Sequence, residues 1–410
     1  MPIAPYLTLL RGNRDFARLY VAQLASFAGD WFATVALLGL ALELSGSSAV
    51  ASLVLVLQTG GFAAATPLAG MLADRLDRRR LMVAADLARI PIALSFLLVR
   101  GPETLSIAFV GVALLAVGAA VFEPTSSAAL PNLVDEDDLA TANVLIGSAW
   151  GTMLAVGAAL GGLVAVTLGR DAAFIVNALS FAASAALIVG IHRPLQLARE
   201  GDDDQRVGAV AGVRQALNFV SGHRRVLSLV LSKTSFGVGT GVVALLAVFG
   251  TEVYDGGDAG IGALFAARGL GALIGPFAAR RVMGTEDHAL IRGIAVSFVL
   301  VAGCYAVFPT MPTLMLAALL VFGAHCGGGA QWTLSTLGLQ RATPDAIRGR
   351  VFSLDYGMVT LTIAVSTLAA GWLADGIGPR PAVWVMAALI LAAGAAWVRL
   401  SWPLLRDPAA

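Results

Sequence analysis

The sequence predicts an all-α membrane protein in which twelve transmembrane helices form two pseudo-symmetric six-helix bundles. Its composition, the number of long apolar segments and an internal repeat lead to this fold class. The chain has 410 residues, of which 58% are hydrophobic and only 13% are charged, and its mean hydropathy is +0.82. A soluble domain is typically about 25% charged. Because so few charges cannot cover a soluble fold of this length, we expect lipid to cover its surface.

Twelve segments are long and apolar enough to cross a bilayer, since a spanning helix needs about 20 mostly apolar residues. They do not show the alternation that marks the strands of a membrane barrel. The predicted spans are 18–44, 48–73, 81–99, 104–131, 140–168, 171–191, 225–254, 259–283, 288–308, 312–338, 349–374 and 381–403.

Basic residues lie almost entirely on one side of the predicted membrane. The N-terminal arm, the even-numbered loops and the C-terminal tail hold 21 of them, whereas the opposite loops hold only Arg100, Arg170 and Arg380. Because cationic loops stay in the cytoplasm, we expect both termini there and the protein in the inner (plasma) membrane. A shift by one helix would scramble this partition, so the charges also support a count of twelve.

The chain carries matching features on either side of one long polar stretch. We therefore predict an N-terminal bundle at 1–191, a cytoplasmic linker at 192–224 and a C-terminal bundle at 225–410. Two similar six-helix halves are typical of alternating-access transporters. The matches are Ser26-Phe27 with Ser235-Phe236 and Leu130 with Leu339, both at an offset of 209 residues, and Gly169-Arg170 with Pro379-Arg380 at an offset of 210.

A dense block of charge follows the second predicted span. Residues 70–80 read Gly-Met-Leu-Ala-Asp-Arg-Leu-Asp-Arg-Arg-Arg, which at a membrane edge requires a short loop facing water. A topological role, holding the loop in the cytoplasm, accounts for the arginines but not for Asp74. The second half has a related block at an offset of 205, Gly275 to Arg280, in which Ala279 replaces Asp74.

The pattern Gly-x-Leu-Ala-Asp-Arg-x-x-Arg-Arg resembles the loop between the second and third helices of major facilitator superfamily transporters. The resemblance implies the fold of that superfamily and a cytoplasmic gate, in which Asp74 contacts the eleventh helix near Gly349–Ser353. Asp77 stands where the superfamily usually has glycine, so we expect a different local turn. The implied gate residues are Gly70, Asp74, Arg75, Arg78 and Arg79.

Further motifs extend the resemblance along most of the chain. Asn13-Arg14-Asp15-Phe16, Phe122-Glu123-Pro124-Thr125 and Arg348-Gly349-Arg350-Val351 are similar to a bacterial exporter branch that includes siderophore and macrolide efflux proteins. Gly157 to Gly162 resembles the antiporter glycine motif, with alanine in place of its proline. The fourth span lacks the arginine that many proton-coupled drug antiporters carry. Despite this missing arginine, the exporter motifs and the glycine motif together favour efflux in exchange for protons.

Two carboxylates inside the predicted spans are candidates for proton coupling. Asp30 lies near the middle of the first span and Glu123 lies in the fourth. A charged side chain at such a depth costs roughly 2.5–3.5 kcal/mol on insertion scales, so each needs a partner or a function. The alternative for Asp30 is a structural carboxylate held by hydroxyl groups or by a cation.

The other charges inside the spans suggest neutralising partners. Asp86 and Arg89 are three residues apart and share one face of the third span, so we predict a buried charge pair. Lys233 and Arg268 are expected to neutralise acids of the first half or to attract an anionic substrate. Asp355, closer to the cytoplasmic end of the eleventh span, is expected to pair with a loop arginine.

Polar and aromatic residues near mid-span are the candidates for a substrate cavity. Gly237-Val238-Gly239 is interpreted as a packing motif within a helix and not as a nucleotide loop, because it does not follow a strand. No second ligand stands at metal-binding spacing from His325, so no metal site and no cofactor are predicted. The cavity candidates are Trp31, Gln58, Asn177, Lys233, Arg268, His325, Gln331 and Trp332.

These observations favour a secondary-active transporter, since the sequence has no ATPase motif to drive transport. We expect proton-coupled efflux of a small hydrophobic or amphipathic compound, such as a drug, a siderophore or a secondary metabolite, by alternating access. A lipid or lysolipid flippase of the same fold is the alternative. A membrane-embedded enzyme would need a nucleophile–base pair or a metal cluster, which the scattered polar residues do not form. The expected partners are the lipid bilayer, a small-molecule substrate and protons, without nucleic acid, and the chain is expected to be a monomer.

Overall fold

The computed structural model describes residues 4–196, 209–283 and 287–406, and within these ranges it contains helices but no strands. We number the helices in chain order. They are α1 (Ala4–Gly12), α2 (Arg14–Ser45), α3 (Ser48–Arg75), α4 (Arg78–Ser95), α5 (Leu105–Leu133), α6 (Glu136–Leu168), α7 (Arg170–Val189), α8 (Ala209–Gly222), α9 (Arg224–Gly237), α10 (Val242–Val248), α11 (Gly257–Met283), α12 (Asp287–Val307), α13 (Leu314–Ala342), α14 (Asp345–Ile377) and α15 (Pro379–Arg406).

Twelve spans in the described part of the chain are long and apolar enough to cross a membrane, which confirms the predicted number. Helices α2 to α7 and α11 to α15 supply one span each, and α9, α10 and the π-helical turn Phe249–Val253 together supply the seventh. The predicted boundaries differ from the helix ends by a few residues. Helices α1 and α8 were not predicted, because they are too short to appear as spans in a hydropathy pattern.

Polar side chains at the helix starts explain where several spans begin. A capping side chain accepts a hydrogen bond from a free backbone N–H group in the first turn. Asn13 Oδ1 accepts from Phe16 N at 3.0 Å at the start of α2. Asp77 Oδ1 accepts from Arg80 N at 2.8 Å at the start of α4. Asp77, at the position where glycine is usual, therefore ends the charged loop by starting the next helix.

The internal repeat is visible in the helix starts. Helices α3, α5, α6 and α7 begin 209 residues before α11, α13, α14 and α15. The backbone repeats its left-handed positions at the same offset, with φ of 84° at Gly169 and 89° at Gly378, and 62° at Gly46 and 52° at Asp255. The offset of 205 for the charged loop is therefore wrong. With an offset of 209, Met283 corresponds to Asp74. Gly275 lies four residues, about one helical turn, before the position that corresponds to Gly70.

The chain divides into two compact units. The first comprises Met1–Gly201 with Gly250–Ala266, and the second comprises Asp202–Phe249 with Ala267–Ala410. The segment Gly250–Ala266, which includes the first turns of α11, thus groups with the first unit although it follows the linker. The predicted boundaries at 191 and 225 follow the internal sequence repeat, whereas the two compact units are defined by which residues contact one another.

An ion-pair cluster anchors that segment within the first unit. The Arg170 guanidinium, at the start of α7, donates from Nε to Asp258 Oδ2 at 2.7 Å and from Nη1 to Glu43 Oε2 at 2.6 Å. Close helix contact adds to this, because a Cβ at Gly162 would lie 2.6 Å from the Asp258 carbonyl oxygen. The glycine at this end of the 157–162 motif thus allows α6 and α11 to touch through their backbones, as small residues do between membrane helices.

The seventh span is interrupted inside the second unit. Helix α9 ends at Gly237 and α10 begins at Val242, with a turn between them, so Gly237-Val238-Gly239 does not lie within a continuous helix as predicted. Ser366 Oγ of α14 donates to the Val238 carbonyl oxygen at 2.6 Å and accepts from the Gly241 N–H at 2.9 Å. One hydroxyl therefore satisfies two backbone groups that the break leaves free, as an interrupted membrane helix requires.

Candidate functional site

The first unit contains a buried charge pair on one helix, at the positions that the sequence indicated. Arg89 Nη2 donates to Asp86 Oδ1 within α4. Asp86 is fully buried, and Arg89 is 1% exposed. Among the described residues, the second oxygen of Asp86 and Nε of Arg89 have no hydrogen-bond partner. Asp86 and Arg89 therefore bond to each other through one oxygen and one nitrogen, while another polar atom of each side chain is left without a hydrogen bond.

Asp30 shares the same guanidinium without bonding to it. Arg89 Nη1 lies 3.8 Å from Asp30 Oδ2, and the Asp30 side chain is 19% exposed. This separation is too long for a hydrogen bond but leaves a strong electrostatic attraction. Glu123 of α5, which is partly buried, interacts electrostatically with both Asp30 and Arg89. Three carboxyl groups from three helices thus interact with one guanidinium.

The surroundings fix the Arg89 side chain in this position. Its Cζ atom lies 4.2 Å from the centroid of the Phe181 ring and 5.4 Å from that of Phe122, within the range of cation–π attraction. Gly118 of α5 leaves the space for the aliphatic stem, because a Cβ there would lie 2.7 Å from Arg89 Cγ and Cδ. None of these three neighbours stood out in the sequence as a site residue.

The polar cavity candidates of the first unit lie on the helices around Asp30. Gln58 Nε2 donates to Thr34 Oγ1 at 3.3 Å, and that hydroxyl donates to the Asp30 carbonyl oxygen at 2.7 Å. Asn177 is fully buried, and neither polar atom of its side chain has a hydrogen-bond partner in the described part of the chain. Trp31 is buried against the rings of Trp150 and Phe265 and serves packing.

The second unit has a buried ion pair that joins the seventh and eleventh spans. Lys233 Nζ lies 2.5 Å from Asp355 Oδ2, and the two side chains are 1% and 0% exposed. The Lys233 ammonium also lies 5.0 Å from the centroid of Trp332 and 5.9 Å from that of Phe352. The expectation that Asp355 pairs with a loop arginine is wrong, and Lys233 meets an acid of its own half instead of one of the first half.

The remaining candidates of the second unit fall into two groups. Tyr305 Oη and His325 Nε2 lie 2.9 Å apart, and Arg268 interacts electrostatically with both side chains. Gln331 is buried and donates from Nε2 to the Ser232 carbonyl oxygen at 2.7 Å, next to Lys233. The structure thus places His325 beside an arginine and Gln331 beside the ion pair.

The arginines of the charged loop bind backbone of the first unit. Arg78 Nη1 donates to the carbonyl oxygens of Ala128 at 2.7 Å and Leu195 at 3.1 Å, and Arg79 Nη2 donates to that of Arg193 at 3.0 Å. These bonds join the start of α4 to α5 and to the segment after α7. The side chains of three other predicted gate residues lie outside the described ones, namely Gly70, Asp74 and Arg75.

The sequence did not predict three features: the two aromatic rings around Arg89 (the aromatic cradle, Phe122 and Phe181), the tyrosine beside His325, and the three-residue cluster at Arg170. Arg170 carried a signal that was not used: it is one of only three basic residues in the loops opposite the charged side. Glu43, at the end of the first predicted span, lies on the same side of the membrane. A lone cation and an acid on that side favour a structural ion pair. The aromatic cradle carries no comparable signal, because its members are far apart in the chain.

Twelve spans in two repeated halves, with charged groups buried among the helices, are the architecture of major facilitator transporters. The sequence model of the transmembrane secretion effector family matches residues 5–408, and the chain belongs to this family. It is therefore a multi-pass efflux transporter and not an enzyme.

Two relatives are similar over most of their length. The chain is 27% identical over 359 residues to the proposed bacilysin exporter BacE of Bacillus amyloliquefaciens, covering 85% of this chain and 86% of that protein. It is 27% identical over 385 residues to the multidrug efflux pump Tap of Mycolicibacterium fortuitum, covering 87% and 88%.

Solved structures share the fold. A bacterial homologue of the human lysosomal transporter Spinster, in an inward-facing and unoccupied conformation, aligns with a TM-score of 0.74 at 15% identity and covers 97% of this chain and 98% of that one. A POT family transporter in complex with 5-aminolevulinic acid aligns with a TM-score of 0.77 at 11% identity, covering 96% and 97%. At such identities the likeness concerns the fold alone.

Proposed function

We propose that this transporter exports a small hydrophobic or amphipathic compound in exchange for protons, with Asp30 and Glu123 as the carboxyl groups that bind the proton. The observation that carries the proposal is the charge balance in the first unit. Among the residues that the structure describes, three acids of this cluster, Asp30, Asp86 and Glu123, interact with one cation, Arg89. One guanidinium neutralises one carboxylate, so full ionisation would leave a net charge of −2 among apolar helices. Taking up protons removes that cost.

The partly exposed members of the cluster are the ones suited to exchange. Asp86 is fully buried and bonded to Arg89, whereas the Asp30 side chain is 19% exposed and lacks a direct hydrogen bond from the arginine. A proton must reach the group from water and leave it again, so access favours Asp30 and Glu123. Asp86 then serves as the permanent partner of Arg89.

Several broader features belong to the same proposal. The substrate class follows the relatives, one named as a proposed bacilysin exporter and one as a multidrug efflux pump. The partition of basic residues supports insertion in the inner membrane with both termini in the cytoplasm. The proposal also includes a monomer. It has two six-helix bundles joined by a linker at 192–224, which the internal repeat supports, and a cytoplasmic gate at Asp74, which the resemblance implies.

The test measures gradient-driven transport in proteoliposomes. Ethidium, an amphipathic cation, serves as the first probe of a dye panel, and an imposed proton gradient drives its accumulation. We expect Asp30→Asn and Glu123→Gln to reduce accumulation to the level without a gradient while downhill dye movement persists. The control is Asp171→Asn, whose exposed carboxylate binds only Arg100 at the membrane edge, and which should accumulate dye normally.

Unchanged coupling in both carboxylate variants would contradict the proposal. Movement of a fluorescent lysolipid between leaflets, without transport of any dye, would favour the flippase alternative. Cysteine labelling from either side of the membrane, at single sites in the N-terminal arm and in the loop before α7, tests the orientation directly.

A further inference from the structure

Arg89 interacts with two acids, Asp86 and Asp30, and its interaction with Asp86 is the closer one. It donates a hydrogen bond to Asp86, whereas its nearest nitrogen lies 3.8 Å from Asp30 Oδ2. A movement of about 1 Å would bring the guanidinium to the 2.7–2.9 Å at which charge-assisted hydrogen bonds form. The side chain could therefore serve either carboxylate, and its present position selects Asp86.

We propose that Asp86 is a positioning residue: it holds Arg89 back from Asp30 and thereby leaves Asp30 free to bind and release the proton that is exchanged. This inference rests on the proposed proton exchange and deepens it. Hydrogen bonds between ions are roughly twice as strong as those between neutral groups. An acid that accepts such a bond is held in its ionised form, so Asp86 takes the strong interaction that would otherwise keep Asp30 charged.

The packing around Arg89 supports this division of roles. The stem fills the space at Gly118, and the guanidinium lies over the Phe181 ring at 4.2 Å, so the arginine approaches Asp86 from a fixed direction. Asp86 and Arg89 also sit three residues apart on the same helix, which keeps their spacing constant while other helices move. Asp30 lies on a different helix, so its distance to Arg89 is free to change.

The other described groups around Asp30 do not supply a second positive charge that could hold its carboxylate in the ionised form. Glu123 from α5 adds a second acid, which favours uptake of a proton by either carboxyl group. Helix α7, which packs against α2, contributes the neutral side chains Asn177 and Ser180 near Gly29. Gln58 from α3 reaches Asp30 only through the Thr34 hydroxyl and the Asp30 backbone. Arg89 is thus the charged group whose position decides how readily Asp30 takes up a proton.

The experiment follows the protonated carboxyl band in infrared spectra of the purified protein in lipid as the pH changes, with Asp30→Asn used to assign the band. In Asp86→Asn the arginine loses its anionic partner and bonds to Asp30, which stays ionised to lower pH. The midpoint of the Asp30 band should therefore fall by about one pH unit, within the range that a neighbouring cation produces. The pH profile of dye transport should shift in the same direction.

Two further variants separate positioning from folding. Asp86→Glu keeps the anchoring charge and should return the midpoint close to that of the unmodified protein. Phe181→Leu removes the ring beneath the guanidinium but leaves every carboxylate in place, and should move the midpoint in the same direction by a smaller amount. It keeps the inference testable if Asp86→Asn does not fold. Asp171→Asn, which changes an exposed acid paired with Arg100, is a control that should not move the band.

The outcomes distinguish the inference from the function on which it rests. A band midpoint that stays unchanged or rises in Asp86→Asn and in Phe181→Leu would overturn the positioning role, even if transport remains coupled to protons. A midpoint lowered in both variants supports the positioning role. A midpoint lowered in Asp86→Asn alone would overturn it, because that variant also removes a negative charge that acts on Asp30 directly. If the midpoint falls while dye transport does not depend on a proton gradient, Asp86 positions Arg89 as proposed and the exchange mechanism is what fails.

Discussion

Removing one partner of the Lys233–Asp355 pair should destabilise the second unit strongly. Both side chains are at most 1% exposed, and their charged atoms lie 2.5 Å apart. A buried ion without its partner must either stay charged or become neutral. At pH 7, neutralising an aspartate of ordinary pKa near 3.9 costs about 4 kcal/mol, and neutralising a lysine near 10.4 costs about 4.5 kcal/mol, at 1.36 kcal/mol per pH unit. These values agree with the 3–5 kcal/mol typical of broken buried pairs.

The surroundings make the two single variants unequal. Lys233→Met leaves Asp355, whose other oxygen Oδ1 has no hydrogen-bond partner within the ranges that the structure describes. Asp355→Ala leaves Lys233, whose ammonium retains cation–π attraction to Trp332 and Phe352 of about 0.5–2 kcal/mol. We therefore expect a loss of about 4 kcal/mol for Lys233→Met and about 3 kcal/mol for Asp355→Ala. The double variant should lose far less than the sum, because no unpaired charge remains.

Reversible unfolding in SDS, followed by tryptophan fluorescence, measures these free energies. The sign of the pH dependence is a second check. The deficit of Lys233→Met should shrink by about 1.4 kcal/mol per unit as the pH falls below 7, since the lone aspartate is then protonated more easily. The deficit of Asp355→Ala should stay constant near neutral pH, where Lys233 remains charged over the aromatic rings, and shrink only at higher pH, where neutralising the lysine costs less than about 3 kcal/mol. Single losses below about 1 kcal/mol, the value of exposed ion pairs, would refute the reasoning.

Two other changes test contacts that organise each unit. Ser366→Ala removes the hydroxyl that bonds to both sides of the break in the seventh span, so we expect a loss of about 1–3 kcal/mol in the same unfolding assay, with Ser366→Thr as the control that keeps the hydroxyl. Arg170→Gln releases Asp258 and Glu43 and should increase hydrogen–deuterium exchange in Gly250–Ala266, whereas Arg100→Gln, which breaks an exposed pair at the same membrane edge, should leave that segment protected. Equal exchange in the two arginine variants would contradict the anchoring role.

Most of the fold follows from local information in the sequence. A span is a continuous apolar run, so its existence and approximate ends are predictable from hydropathy, and all twelve were found. The break after Gly237 was missed because Ser366, which satisfies it, comes from another helix. The copy of the charged loop was placed one turn early because small residues recur along α11, and a short match among them is not specific.

The site was predictable to the extent that its contacts are local. Asp86 and Arg89 are three residues apart, so helical geometry alone brings them together. Lys233 and Asp355 are separated by 122 residues, and nothing in the composition of either span selects that partner over another. The same holds for Asp30 and Arg89. The sequence identified which residues were too costly to leave alone in the membrane, whereas packing decided which of them meet.

The two halves have kept a common scaffold while their chemistry has diverged. At the offset of 209 that relates the helix starts, Gly118 corresponds to Gly327, so the close approach at this position is retained. Arg89 corresponds to Phe298 and Glu123 corresponds to Trp332. Two charges of the first unit thus correspond to aromatic rings in the second, where the ring centroids of Phe298 and Trp397 lie 5.7 Å apart, whereas Asp30 and Asp86 correspond to Gly239 and Ala295. Backbone positions are constrained by helix packing on both sides, whereas an ionisable side chain persists only where a partner or a function offsets its cost in the membrane. The presence of three acids and one arginine in the cluster of the first unit, without a repeat in the second, therefore argues for a function of that cluster beyond folding.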